Sequence, residues 1–154
     1  MEVGKGFLLK TNDNPEGVDA SVFDGIKSAI KSDRPAFLIE FLRNFYNYDV
    51  TGGKLVSDRV LEDNWNVAAG ASATGTLACV DCWIEDFRKD IPKNTVPTLI
   101  LHGDADRILP PDATSRRQAK MVKNVKFVEL PGGPHGVLWT HADRVSTELV
   151  TFLA

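Results

Sequence analysis

Two short stretches hold the residues best suited to moving a proton. His102-Gly103-Asp104-Ala105-Asp106-Arg107-Ile108-Leu109-Pro110 follows one apolar run, and Gly132-Gly133-Pro134-His135-Gly136 follows another. An imidazole titrating near neutrality takes a proton from an attacking hydroxyl and returns it to a leaving group, which makes His135 the candidate base. A carboxylate bonded to its other ring nitrogen would set the tautomer and stabilise the imidazolium. Asp106 is the candidate for that part. Asp104 is expected to cap the turn by accepting hydrogen bonds from backbone amides.

The flanking elements must bring these groups together. Val96-Pro97-Thr98-Leu99-Ile100-Leu101 is rich in β-branched and aliphatic residues and predicts a strand buried on both faces of a parallel sheet. Carboxylates just past such a strand lie on the edge where open α/β sheets bind ligands. Val125-Lys126-Phe127-Val128-Glu129-Leu130 predicts a second strand, and the stiff turn Pro131-Gly132-Gly133-Pro134 would deliver His135 to the same edge. A helix over about residues 112–122 joins the strands and another closes the chain, making a βαβα unit. Thr140 and Asp143 have capping-box spacing, and Val145, Leu149, Phe152 and Leu153 give the last helix one apolar stripe.

Upstream of about Pro92 the pattern is helical. Val22, Phe23, Ile26, Ala29 and Ile30 recur at helical spacing, and Phe37, Phe41, Leu42 and Phe45 do so after Pro35. Residues 47–54 read as a loop broken at Gly52-Gly53. Ser57 or Asp58 would cap a helix carrying Val60, Leu61, Asn64, Trp65 and Ala68, and a further helix runs through Cys79, Cys82, Trp83 and Phe87. There are no internal repeats or low-complexity stretches.

Acid before histidine is the chain order of α/β-hydrolases. Residues 96–154 resemble the bacterial non-haem haloperoxidases and arylesterase-like proteins of that superfamily. Phe7-Leu8-Leu9-Lys10-Thr11, Asn14-Pro15-Glu16-Gly17, Val22-Phe23-Asp24-Gly25-Ile26 and Trp65-Asn66-Val67-Ala68 extend the resemblance upstream. It implies an incomplete α/β-hydrolase fold: cap helices and a connecting helix over residues 1–92, then the C-terminal part of the core over 93–154. It also implies Asp106 as triad acid and His135 as triad histidine. The chemistry implied is cofactor-free hydrolysis of small esters through an acyl-serine, or peracid formation when hydrogen peroxide replaces water.

The family's nucleophile elbow, Gly-x-Ser-x-Gly at a strand-to-helix turn, has no match among the seven serines. Ser72 sits in the small-residue run Gly70-Ala71-Ser72-Ala73-Thr74, but helix rather than strand precedes it, and the run reads as a site of close helix packing. The family's His-Gly-aromatic oxyanion loop is also missing. The expectation is therefore the C-terminal part of a serine hydrolase, as from a truncated gene, an internal start or a cut after the nucleophile-bearing half. Removing the serine from a complete triad costs about a millionfold in turnover, so the chain alone should be nearly inactive. Activity would need a complementing N-terminal segment. The alternative is a non-catalytic module that self-associates or binds a partner through its open sheet edge.

Composition narrows the remaining classes. With 154 residues, 43% hydrophobic and 25% charged, the chain is long enough for one domain with a core. A net charge of −3 argues against a nucleic-acid partner. No apolar stretch approaches the roughly 18 residues of a membrane span, and Met1-Glu2-Val3-Gly4-Lys5 opens no signal peptide, so a cytoplasmic location is expected.

Other readings attach to the same residues. Cys79-Val80-Asp81-Cys82 has CxxC spacing, but inside a helix it reads as two buried thiols rather than a redox pair. His102, Asp104, Asp106, His135 and His141 combine types that bind zinc or manganese but lack a recognisable ligand spacing, so neither metal nor cofactor is expected. His102 and His141 read as packed or surface histidines. Trp65, Trp83 and the Phe37, Phe41, Phe45 stripe read as packing, with an acyl pocket as the functional alternative. Asp106 and His135 have a structural acid–histidine pair as theirs.

Overall fold

A computed structural model describes residues 7–154; the Met1-to-Lys5 start lies outside the described residues. The first helix, α1, runs over Ala20–Tyr46 and joins the two apolar stretches into one element. Its break lies at Asp33, with φ −152° and ψ 88°. Asp33 caps the second half, its Oδ1 accepting the Ala36 amide at 3.0 Å. Pro35 therefore falls in a first turn, where its missing N–H costs no helical bond.

After Asn47 comes a short helix, α2 (Tyr48–Thr51), where the sequence reads as a loop. Helix α3 (Asp58–Gly70) starts on Ser57, whose Oγ accepts the Val60 amide at 3.3 Å. Arg34, beside the α1 break, donates to the carbonyls of Ala68, Ala69 and Ala71 and so closes the carboxyl end of α3. Helix α4 (Ala73–Trp83) ends before Phe87, which is exposed and lies outside the helix expected to carry it. Its Leu77 and Val80, with Ile84 just past its end, face the first core. Cys79 and Cys82 fall outside that face and are exposed, contrary to the expected buried thiols. The small-residue run is also exposed, and a Cβ added to Gly70 would meet nothing within 4 Å, so close helix packing does not explain it.

The expected βαβα unit follows. Strand β1 (Thr98–Gly103) pairs in parallel with β2 (Val125–Leu130), in a register running from Thr98 opposite Val125 to Gly103 opposite Leu130. Helix α5 (Ser115–Met121) makes the crossover, and α6 (Val137–Thr140) and α7 (Ala142–Leu153) close the chain. Among the described residues the sheet has these two strands. The strands are consequently only part-covered, with Ile100, Gly103 and Leu130 buried, rather than buried along both faces.

The Thr140–Asp143 capping box does not form. A capping residue needs extended backbone, but Thr140 closes α6, and its hydroxyl engages Gly136 O and His141 Nδ1. Val145 is the buried part of the α7 stripe, whereas Leu149 and Leu153 are 42% and 80% exposed.

Three apolar clusters hold these elements. Leu8, Phe23, Ile30, Val80, Leu109 and Ala113 join the helical part to the segment after β1. Leu42, Tyr46, Val56 and Leu61 pack α1 on α3, and Leu130, Val137 and Val145 seat the last helices on the sheet. At the sheet's carboxyl edge Gly103 touches the turn after β2. A Cβ on Gly103 would lie 2.0 Å from Gly133 O and 2.7 Å from Pro134 O, both backbone atoms with nowhere to go. Gly103→Ala is therefore expected to lower the unfolding free energy by about 2–4 kcal/mol. A urea melt reads this; an unchanged midpoint would mean that the two turns can part without cost.

Candidate active site

The turn after β1 is built from backbone bonds to the turn after β2. The Asp104 amide donates to Leu130 O at 3.2 Å, and the Ala105 amide to Gly133 O at 3.1 Å. Asp104 Oδ1 accepts the Gly132 amide at 2.7 Å, the turn-capping part expected of it. Asp106 is buried, 7% exposed.

Its carboxylate is supplied with donors on both oxygens. Oδ1 accepts the amides of Ile108 and Leu109, each at 2.8 Å. Oδ2 lies 2.7 Å from His135 Nδ1 and 3.1 Å from His102 Nε2. His102 Nε2 is also 2.8 Å from Leu109 O. A ring nitrogen between a carboxylate and a carbonyl faces two acceptors, so it must carry the proton and donate. Burial works to raise the Asp106 carboxyl, but bonds from His102 and His135, the Leu109 amide and the His135 charge hold it well below the usual carboxylate range.

His135 is held from the opposite side. Its ring meets the Phe45 ring edge-on, with centroids 4.8 Å apart and planes at 76°. Phe45 ends a row in which Phe37, Phe41 and Phe45 follow one another at 5.8 and 6.3 Å along α1. The three rings are half-buried.

The structure thus brings Asp106 and His135 together and adds His102, which reads from sequence as ordinary packing. The available signal was its place at the end of β1, four residues before Asp106. The other candidates lie elsewhere. His141 Nε2 contacts Pro131 O and Asp104 is turned to Gly132, so the five possible metal ligands do not converge. Ser72 is the N-cap of α4, its Oγ accepting the Gly75 amide at 3.1 Å.

The family model described as the alpha/beta hydrolase fold matches residues 6–142. The chain belongs to the alpha/beta hydrolase fold family. It is 58% identical over 147 residues to a Synechocystis protein bearing the name non-heme chloroperoxidase, covering 96% of this chain and 53% of that protein. A bifunctional esterase/perhydrolase of Acinetobacter calcoaceticus is 32% identical over 151 residues, covering 95% of this chain and 53% of the relative. Bromoperoxidase from Bacillus anthracis superposes with a TM-score of 0.91 at 39% identity, over 96% of this chain and 54% of that structure. This alpha/beta hydrolase chain therefore spans about half the length of the relatives it matches.

The depressed Asp106 carboxyl makes the stability of the fold depend on pH. A group whose folded value lies below its unfolded one adds stability above the unfolded value, near 3.9 for aspartate, and loses it as pH falls further. Asp106→Asn is expected to cost about 3 kcal/mol at pH 7, because it also sets an amide against two imidazole donors. Urea midpoints at pH 7 and pH 3 test this: the gap between the parent and the variant should shrink at pH 3. An equal gap at both would rule out a charge-dependent contribution.

Proposed function

We propose that this alpha/beta hydrolase chain supplies the acid and base of a serine hydrolase of small esters, with Asp106 as acid and His135 as base. The carrying observation is the 2.7 Å contact between His135 Nδ1 and a buried Asp106 whose two oxygens face four donors. Such a carboxylate stays ionised, orients the imidazole and stabilises its positive form.

Proton transfer then runs through His135 Nε2. A serine from a preceding N-terminal segment gives Nε2 its proton as its oxygen bonds to the ester carbonyl carbon. Collapse of the tetrahedral intermediate breaks the bond to the alcohol, which leaves with the proton from His135. Water repeats the sequence on the acyl-serine and releases a carboxylic acid; hydrogen peroxide in its place yields a peracid. The relatives named as peroxidases and as an esterase/perhydrolase support both outcomes. The half-buried row Phe37, Phe41, Phe45, ending on the His135 ring, supports an apolar acyl group beside the base.

The test is complementation. Alone, the chain should hydrolyse a nitrophenyl ester at background rate, as expected of a triad without its nucleophile. Adding the part of the Synechocystis relative that this chain does not span should restore turnover, and His135→Ala in this chain should abolish it. Restored turnover that survives His135→Ala would overturn the assignment.

A second reading rests on apolar exposure. Leu138 is 75% and Val150 69% exposed beside a two-stranded sheet, which favours a module that self-associates or binds a partner there. Sedimentation at micromolar concentration separates the readings, because a well-folded monomer excludes self-association.

A further inference from the structure

The carboxyl end of α1 contacts both loops of the site. Phe45 O accepts the Gly136 amide at 2.9 Å, next to His135. A Cβ on Gly136 would come within 2.5 Å of the Tyr46 ring, so only glycine lets the loop lie this close. Asn47 Nδ2 donates to Ala105 O at 2.8 Å, and Asp49 takes two bonds from Arg107, at 2.7 and 3.1 Å. Ala105, before Asp106, is thereby tied to the helix end that also holds the residue after His135, and Arg107, after Asp106, is tied to α2, which follows that end directly.

Asn47 is an unfavourable choice for a plain helix end. It sits in the left-handed region, with φ 50° and ψ 51°, where a side chain costs energy that glycine avoids. It is 4% exposed, and its Oδ1 finds no hydrogen-bond partner among the described residues. Glycine would remove both costs. What glycine does not supply is the amide donor to Ala105 O.

We propose that Asn47 is a positioning residue: its side-chain amide ties Ala105 to the end of α1 and thereby sets the distance between Asp106 and His135. The inference rests on the proposed acid and base only for the chemical purpose of that distance. The tether is specific because it joins a helix end to a loop 58 residues away, a link that the helix cap itself does not need.

The measurement is the low-field Nδ1–H proton of His135 in the histidine-15N-labelled chain, assigned by its disappearance in His135→Gln. Asn47→Gly keeps the left-handed backbone and removes the side chain with its amide donor. It is expected to leave the thermal transition in place while the Nδ1–H signal moves upfield and exchanges with solvent about tenfold faster. A folded Asn47→Gly with an unchanged signal overturns the proposal. If that variant does not fold, Asn47→Asp decides, since aspartate tolerates the left-handed region and, ionised, cannot donate to Ala105 O: about tenfold faster exchange supports the tether, and no change overturns it. Because the signal reads geometry without turnover, it stands apart from the complementation assay. A changed signal together with ester hydrolysis that survives His135→Ala would support the tether and sink the catalytic reading.

Discussion

A buried carboxylate must be fully hydrogen-bonded or it destabilises the fold that buries it. Asp106 is such a group, and no single segment supplies its donors. Two amides come from its own loop, one imidazole from the end of β1 and the other from the turn after β2. Satisfying one side chain therefore requires the two strands to end side by side. The parallel register that places Gly103 opposite Leu130 provides that alignment.

The same requirement explains features that look unrelated. The turns must nearly touch, and Gly103 against Gly133 leaves no room for a side chain at their contact. Neither turn lies within a regular element, so each is braced from outside, by Asp104 on the Gly132 amide and by the end of α1 on both. Helix α1 in turn depends on its own break. With Asp33 capping the second half, Arg34 reaches the open carbonyls of α3, and Trp65 donates to Pro35 O at 3.0 Å.

The apolar surface has a different logic. Around the site the bonds are dense, yet much of β2 and of the α7 stripe is half-covered or open. A parallel strand normally has its two faces covered. A chain spanning about half the length of its alpha/beta hydrolase relatives carries a well-connected polar centre and an incompletely covered core.

What was legible in the sequence was local. Residue type and period marked the strands, Ser57 or Asp58 marked the start of α3, and the Gly-Asp-x-Asp and Gly-Pro-His runs marked which candidate side chains leave the sheet at its carboxyl edge. Local signals misled where a neighbouring element competed for the same atoms. Thr140 could not cap α7 because it was already the last residue of α6, and α2 formed in a stretch whose glycines read as a loop. His102 as a second donor was marked only by its place at the end of β1, four residues before Asp106, and the bond from Asn47 to Ala105 O had no local mark. His102 meets Asp106 through the fold of the loop after β1, whereas Asn47 acquires its partner only when the end of α1 reaches that loop. The sequence by itself determined the two strands, the acid and histidine candidates and the family they resemble, because those depend on periodicity and turn chemistry within a few residues. Only the tertiary structure decided which groups share the Asp106 carboxylate and what holds them there, because hydrogen bonds across 29 and 58 residues depend on packing that no short window contains.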